Sequence, residues 1–463
     1  MAAIRSLSAF QSSRRSVVAG SAALAAGLLV GRVGPVRAQD DATPAASEED
    51  EGDEGDEGAV FVGTNHNNTA NPDDPANQIV MYRRAADGML TMIDAFATGG
   101  QGSGPGQRFA GDGLGAGNSV RLSTDNRWLF ATNAGSDSVS VFEVGDEGLE
   151  LVDVVPTGDG SQGRRFPNSV TQYEDLVYVL NSADDGSIAG FRLSEEGQLT
   201  PLADSIRGLA ANQDRFPPDA LYNPTQIQFT PDGSQLVVTI KDGPSAEVAP
   251  AAEPTGPGRV LVWTMDEDGL PAEEFTRTDF DNRGPFGFSF DREGRLLVAE
   301  FTGGGKEEID GEEKLTAAVG SYEINEDGTL TAITAGVEDH QVDTCWLVNN
   351  GTYAYSANYG TGNVSSFTIG DDGGLELLES VAGEADDPGN IQGATPLDAR
   401  ISQDGRFLYV VLPGAGKVGG WRIGEDGKLT KLGEFSGLPQ TADGDHALLD
   451  FGSGGSPAGI EAI

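Results

Sequence analysis

Six times between residues 118 and 435 the sequence passes through the same phrase: four short β-rich runs separated by Asp-Gly, Asn-Gly or Gly-Ser turns. The copies occupy 118–157, 168–200, 224–275, 285–333, 343–381 and 396–435. Turn dipeptides of this kind between alternating apolar runs are hairpin chemistry. A seventh copy is split. AVFVGTN, QIVMYRR and LTMIDAF within 59–96 supply its second to fourth runs, and PAGIEA at 457–462 matches the first run of other copies, PFGFSF and NSVRLS. Units of four strands recurring every 50 to 61 residues, one of them completed by both ends of the series, predict an all-β fold. That fold is a single seven-bladed β-propeller over 59–463, four antiparallel strands per blade, with the C-terminal strand completing the first blade. Radial closure leaves no long free sheet edge, and no amphipathic helix interrupts the repeats.

Asp and Glu number 73 against 29 Lys and Arg, for a net charge of −44, and only six of the cations are lysine. Such a surface repels phosphate backbones and anionic membranes, which excludes nucleic acid as a partner and disfavours lipid surfaces. The acidity is compatible with plain solubility or with life in high salt. Cys345 is the single cysteine, so an internal disulfide, a Cys-ligated zinc and a CxxC redox pair are excluded. Among the histidines, His66 and His340 sit beside Asn or Asp in loops, which reads as solvated histidine rather than a metal site. The Gly-rich stretch 99–117 has no following helix and is no phosphate loop. Neither a metal nor a cofactor is expected.

Alternation along the inner strands predicts what the central channel presents. Val120, Val170, Ile227, Phe288, Cys345, Ala399 and Ile460 form an apolar register that packs between blades. The flanking registers are polar. One contains Ser119, Gln226 and Asp398; the other brings Arg400, Glu461 and Arg121 from the adjacent blades seven, one and two. A carboxylate between two guanidinium groups favours its ionised form. The arginines could hold a carboxylate or stabilise an oxyanion while Glu461 or Asp398 moves a proton. The same trio could be an ionic plug filling a narrow channel.

Further candidates lie at the rim. Four second strands end in Asn (Asn65, Asn133, Asn181, Asn358), expected to turn the backbone. Glu300 takes that place in blade 5, and Lys241 lies one residue beyond Ile240 in blade 4. The two are expected as a rim pair, either acid/base machinery or a surface ion pair. Interblade loops repeat an Arg-Phe phrase at Arg108, Arg165 and Arg215, with Arg164 and Arg283 in equivalent loops. They are either a positive funnel steering small anions inward or staples between blades.

The phrases S-x-D-G-R-x-L-Y-V (Ser402 to Val410) and D-G-x-L resemble those of the lactonase-type propellers, a family that includes 6-phosphogluconolactonase-like and 3-carboxymuconate-cyclising proteins. The resemblance covers 59–463. It implies a lactonase or muconate-type cycloisomerase working without a redox cofactor on a small sugar-derived or carboxylated lactone. Glu461, Arg121, Arg400, Asp398 and Glu300 are then catalytic candidates; Arg108, Arg165, Arg215, Arg283 and Lys241 are substrate-binding candidates. The family's inner-strand histidines, in phrases like P-H-x-H, have no counterpart: the matching positions read NSV, NSV, TQI, FGF, TCW, LDA and AGI. ATNAGSDSVSVF at 131–142 looks like the YVTN-type surface propellers, which implies instead a non-catalytic module binding a cell-surface or extracellular partner.

Ahead of the repeats, residues 1–38 hold five arginines and no acid, with Arg14-Arg15 before the apolar stretch Ser16–Gly31 and Val36-Arg37-Ala38 after it. This is the pattern of a twin-arginine export signal cleaved after Ala38. Sixteen Ala/Gly-rich residues are short for a bilayer span. Residues 39–58 carry ten acids and no base, an expected disordered tether. The expected location is periplasmic, cell-surface or extracellular. Replacing Arg14 and Arg15 by Lys should hold the precursor in the cytoplasm, as cell fractionation would detect. Normal export of the double variant would refute the signal.

Overall fold

A computed structural model describes residues 57–105, 112–158, 165–211, 218, 222–241, 257–281, 283–309, 311–387, 395–440 and 454–463. The signal, all but the last two residues of the acidic stretch, Arg108, Arg164 and Arg215 lie outside the described residues.

Seven antiparallel sheets of the expected kind are present among the described residues. Blade 2 shows the plan: Val120–Leu122 is innermost, followed outward by Trp128–Asn133, Ser138–Gly145 and Gly148–Pro156. Burial follows position. Second strands such as Trp128–Asn133, Gln235–Ile240 and Phe407–Leu412 are buried at every residue, because neighbouring blades cover both of their faces. Outermost strands such as Leu90–Ala97 bury only part of one face. Two blades depart from the plan. Blade 3 carries its outer strand in two pieces, Leu199–Pro201 and Arg207–Gly208, on the same neighbour. Blade 5 inserts a hairpin, Lys306–Ile309 with Glu312–Leu315, between its second and third strands.

The seams between blades explain two letters of the repeat. The Tyr of the second strand donates its hydroxyl to the carbonyl of the turn glycine in the next blade: Tyr178 to Gly269 at 2.7 Å, Tyr355 to Gly427 and Tyr409 to Gly88, both at 2.8 Å. These glycines have φ near 80°, a conformation that needs no Cβ. At Gly88 a Cβ would also lie 2.4 Å from the Phe407 ring. The Asp-Gly turn is therefore a hairpin and an interblade latch at once.

Blade 1 is completed as the split repeat predicts. Ile460–Ala462 pairs with Val60–Val62, and Ala59 and Ile463 exchange backbone hydrogen bonds of 3.1 and 2.9 Å. Arg84, almost fully buried, donates Nε–H to the Ile463 carbonyl at 3.0 Å and reaches Asp404 of blade 7 at 3.4 Å. Asn65, at φ 51°, donates to the carbonyls of Ser456 and Ala458. Deleting 456–463 removes all of these contacts and exposes a strand edge along a buried sheet. The truncated protein should lose cooperative thermal unfolding; a melting temperature equal to that of the full chain would refute this closure.

Candidate functional site

The propeller channel is occupied by its own chain. Residues 112–118, between blades 1 and 2, run across it and bond to its far walls. Asn223 of blade 4 donates to the Leu114 carbonyl at 3.0 Å, Trp346 Nε1 of blade 6 to the Ala116 carbonyl at 3.0 Å, and the Gly117 amide donates to Thr225 at 3.1 Å. Leu114 and Ala116 are each 1% exposed. The glycines make this passage possible: a Cβ on Gly117 would sit 2.6 Å from Gln226 Oε1. This insert lies outside the repeat pattern and was not expected from it. Its signal was the run G-D-G-L-G-A-G at 111–117, small residues without hairpin partners, which marks backbone in tight quarters.

On the face carrying the turns between first and second strands, the insert's last residue, Asn118, opens onto a cavity of about 560 Å³. Arg121, Gln226, Gln228, Trp346, Asp398 and Arg400 line it together with Asn118. The expected trio is assembled: Glu461 Oε1 lies 3.0 Å from Arg121 Nη1 and 3.1 Å from Arg400 Nη2. Its contacts are ionic rather than well aligned, since this Oε1 and the Arg121 Nε, both buried, make no hydrogen bond among the described residues. Arg121 and Arg400 remain 21% and 18% exposed while Glu461 is at 8%, so the guanidinium groups, not the carboxylate, face the cavity. Two cations face one anion within the trio, and Asp398 beside them adds a second negative charge when ionised. Burial lowers the pKa of the Arg121 guanidinium, and Glu461 opposes that shift.

Asp398 stands at the start of the blade 7 inner strand. Its carboxylate accepts the backbone N–H of Ala399 at 3.0 Å and that of Asn118 at 3.2 Å. Burial pushes its pKa up to about 6, with Glu461 adding to the rise and Arg400 and the two amides resisting it. A carboxyl that titrates near neutrality beside two cations in an open cavity can accept and return a proton.

The other expected residues are placed differently. Glu300 and Lys241 do not form the rim pair. Glu300 is fully buried, takes two hydrogen bonds from Arg283 Nη1 at 2.8 and 3.0 Å and one from the Tyr322 hydroxyl at 2.5 Å, and burial raises its pKa. It is therefore seam structure with no access to the cavity. Lys241 lies 4.4 Å from the centroids of both Phe286 and Phe301 and 3.8 Å from Cys345 Sγ, with Asp112 and Asp343 as the carboxylates facing it. Burial pushes the Cys345 thiol up to about 12, so it is no nucleophile near neutral pH. Arg283, spent on Glu300, is not part of a funnel. Beside Arg165, Phe166 is buried at φ 53°, with both backbone amides held by Asp137, as a staple would be.

The strand-end asparagines also correct the expectation, for only Asn65 of the four has left-handed backbone. Asn133 instead clamps Asn77, Thr98 and Ser140 by its side-chain amide, and Asn358 clamps Thr344, Asn363 and Ser365. In blade 5, ligand atoms of Glu307, Glu338 and His340 lie within 4.8 Å of one another, close enough for one cation to reach all three, though exposed acidic groups commonly cluster so without an ion. His340 Nδ1 already meets Glu307 at 2.6 Å, which accounts for the arrangement without an ion.

Comparison with known proteins agrees with this architecture. The family described as "Lactonase, 7-bladed beta-propeller" matches residues 76–213 and 309–445. Curated relatives match over short stretches: an uncharacterized protein of Staphylococcus aureus is 34% identical over 88 residues, 19% of this chain and 25% of its own length. One from Staphylococcus saprophyticus is 36% identical over 75 residues, covering 16% and 21%. The chain thus spans about a quarter of the length of the curated relatives it matches. Among solved structures, a putative 6-phosphogluconolactonase of Bacteroides uniformis superposes with a TM-score of 0.57 at 17% identity, covering 88% of this chain and 99% of that one. The periplasmic gluconolactonase of Pseudomonas aeruginosa gives 0.56 at 17%, covering 83% and 98%. At these identities the structures attest the fold, while the family match takes in more than half of the sequence. The chain belongs to the lactonase family of seven-bladed β-propellers.

Proposed function

We propose that this propeller is an exported lactonase that opens a small sugar-derived or carboxylated lactone in the cavity at the Asn118 end of the 112–118 insert. The observation that carries the reading is the two cavity-facing guanidinium groups of Arg121 and Arg400 next to the Asp398 carboxyl. Water attacks the lactone carbonyl carbon, and ionised Asp398 accepts its proton as the new C–O bond forms. The arginines hold the oxyanion. Collapse breaks the bond to the ring oxygen, which takes the proton back from Asp398. The carboxyl group so formed releases its remaining proton to solvent, and the hydroxy acid leaves as an anion that the same arginines can retain. The likeness in fold to a protein described as a periplasmic gluconolactonase and to another described as a putative 6-phosphogluconolactonase supports this class of substrate.

The mechanism fixes a pH dependence. Only ionised Asp398 accepts a proton, so turnover should rise with pH through about 6. Stability has the opposite sign. A carboxyl whose pKa is higher folded than unfolded binds more protons in the native state, so its contribution falls as pH rises from about 4 to about 6. Asp398→Asn should remove both effects and abolish turnover of glucono-1,5-lactone above the uncatalysed rate, followed by pH-stat in low and high salt.

Arg400→Ala separates a ligand site from an ionic plug. If the site binds anions, gluconate should raise the melting temperature of the wild type, and Arg400→Ala should fold yet respond about thirtyfold more weakly or worse, as expected for a lost charge-assisted contact. Wild type indifferent to every small anion, with Arg400→Ala melting many degrees lower, would leave only a plug. Gluconate binding without turnover of any sugar lactone or muconate-type acid would leave the non-catalytic propeller, which the absence of inner-strand histidines favours.

A further inference from the structure

Blades 2, 3 and 4 each carry an asparagine at the entry to the inner strand: Asn118 and its register equivalent Asn168, two residues before Val120 and Val170, and Asn223, four residues before Ile227. Asn168 and Asn223 each tie the strand entry to a backbone carbonyl elsewhere in the ring. Asn168 donates its side-chain amide to the Pro224 carbonyl at 2.8 Å, and Asn223 donates to the Leu114 carbonyl at 3.0 Å. Asn118 departs from its counterparts in conformation and in partners. It adopts φ 59°, which neither counterpart does, and is 4% exposed. Its Oδ1 accepts Arg400 Nη2–H at 3.0 Å, its backbone N–H points to Asp398 Oδ2 at 3.2 Å, and its Nδ2 donates to Gln228 Oε1 at 3.3 Å. Its own carbonyl accepts the Val170 amide at 2.9 Å, so blade 3 anchors it. One residue at the end of the channel insert thus touches both the acid and one of the arginines, while Gln228 and Val170 fix it from two other blades.

We infer that Asn118 is a positioning residue for this site, its amide holding Arg400 toward the cavity while its backbone N–H holds the Asp398 carboxyl, and that the 112–118 insert is thereby part of the active machinery rather than a filler of the channel. This rests on the lactonase reading above. Besides Asn118, Arg400 is held by its Nε on the Ile460 carbonyl at 3.3 Å and by its ion pair with Glu461 at 3.1 Å. Without Asn118, its terminal nitrogens have only Glu461 to orient them. An anion bound by Arg400 would then lose its fixed place relative to Asp398, which matters because proton transfer needs hydrogen-bond reach.

Three variants test this. Asn118→Gly keeps the left-handed backbone and the N–H to Asp398 but removes both side-chain contacts. With glucono-1,5-lactone as probe, KM should rise about tenfold or more, the scale of a lost hydrogen bond to a charged group, with the acid limb of the pH profile unmoved. Asn118→Asp also tolerates the backbone but sets a second carboxylate beside Asp398, so the acid limb should move to higher pH. Asn168→Gly removes the equivalent residue of the next blade and should alter melting temperature without moving KM or the limb. Wild-type KM in Asn118→Gly, an unmoved limb in Asn118→Asp, or an equal KM rise in Asn168→Gly would each overturn the inference. Should Asn118→Gly fail to fold, Gln228→Met loosens the same amide from its other side; an unchanged KM there would count against it too. If wild type opens no lactone, the lactonase reading fails by itself. Gluconate-induced thermal stabilisation then decides: lost in Asn118→Gly and kept in Asn168→Gly upholds the inference, and equal stabilisation in both refutes it.

Discussion

The seam between blades 7 and 1 is the contact on which the rest of the molecule depends. A four-stranded sheet with two apolar faces cannot bury them alone, and a ring of such sheets satisfies every face only when it closes. Six seams join blades that follow one another along the chain. The seventh joins elements more than three hundred residues apart, through the Tyr409–Gly88 latch and the Arg84–Asp404 ion pair, and it packs blade 7 against the strand Ile460–Ala462 that completes blade 1. Glu461 lies in that strand. The residue that gathers the two arginines is therefore presented by the element that shuts the ring, so closure and site assembly are one event.

Propeller geometry also dictates where polar groups can go. Inner strands alternate an apolar register, buried between blades, with registers that face the axis. Seven axial positions at one level are too many for side chains of one charge and too few to fill the space between them. This chain solves the problem twice. Arg121, Glu461 and Arg400 neutralise one another in part, and a glycine-rich piece of backbone takes up the remaining volume. Backbone suits that role because its own N–H and C=O groups can satisfy the walls, as Leu114, Ala116 and Gly117 do.

What the sequence made legible followed from repetition. The period, the split blade, the turn glycines and the axial registers are properties of many equivalent positions, and a pattern seen seven times averages out local noise. The Arg–Glu–Arg trio was legible for the same reason, since register fixes which residues share a level. Features outside the repeat were not. The 99–117 stretch has no counterpart in the other blades, so nothing in the alignment of copies showed that its end turns into the channel. Lys241 and Glu300 were paired by adjacency of blades. Adjacency says nothing about side-chain direction, and a fully buried carboxylate takes the nearest guanidinium, here Arg283, over a lysine already set between two rings. The strand-end asparagines were read from turn propensity, whereas three of them are held by side-chain partners on a neighbouring strand or on the preceding blade, which only the folded ring supplies.

The charge of the particle and the charge of the site oppose each other. Beyond residue 58 the chain has 63 acids and 24 bases, so a small anion approaching from a distance meets repulsion. The cavity-facing guanidinium groups act on an anion only at close range, because ions screen them beyond about 10 Å at ordinary salt. The same screening removes most of the long-range repulsion, while the buried contacts among Arg121, Glu461 and Arg400 are screened far less. Added salt therefore weakens what keeps anions away more than what holds them once they arrive. An acidic surface and an arginine-lined cavity are compatible in one protein on these terms, and the compatibility improves as ionic strength rises.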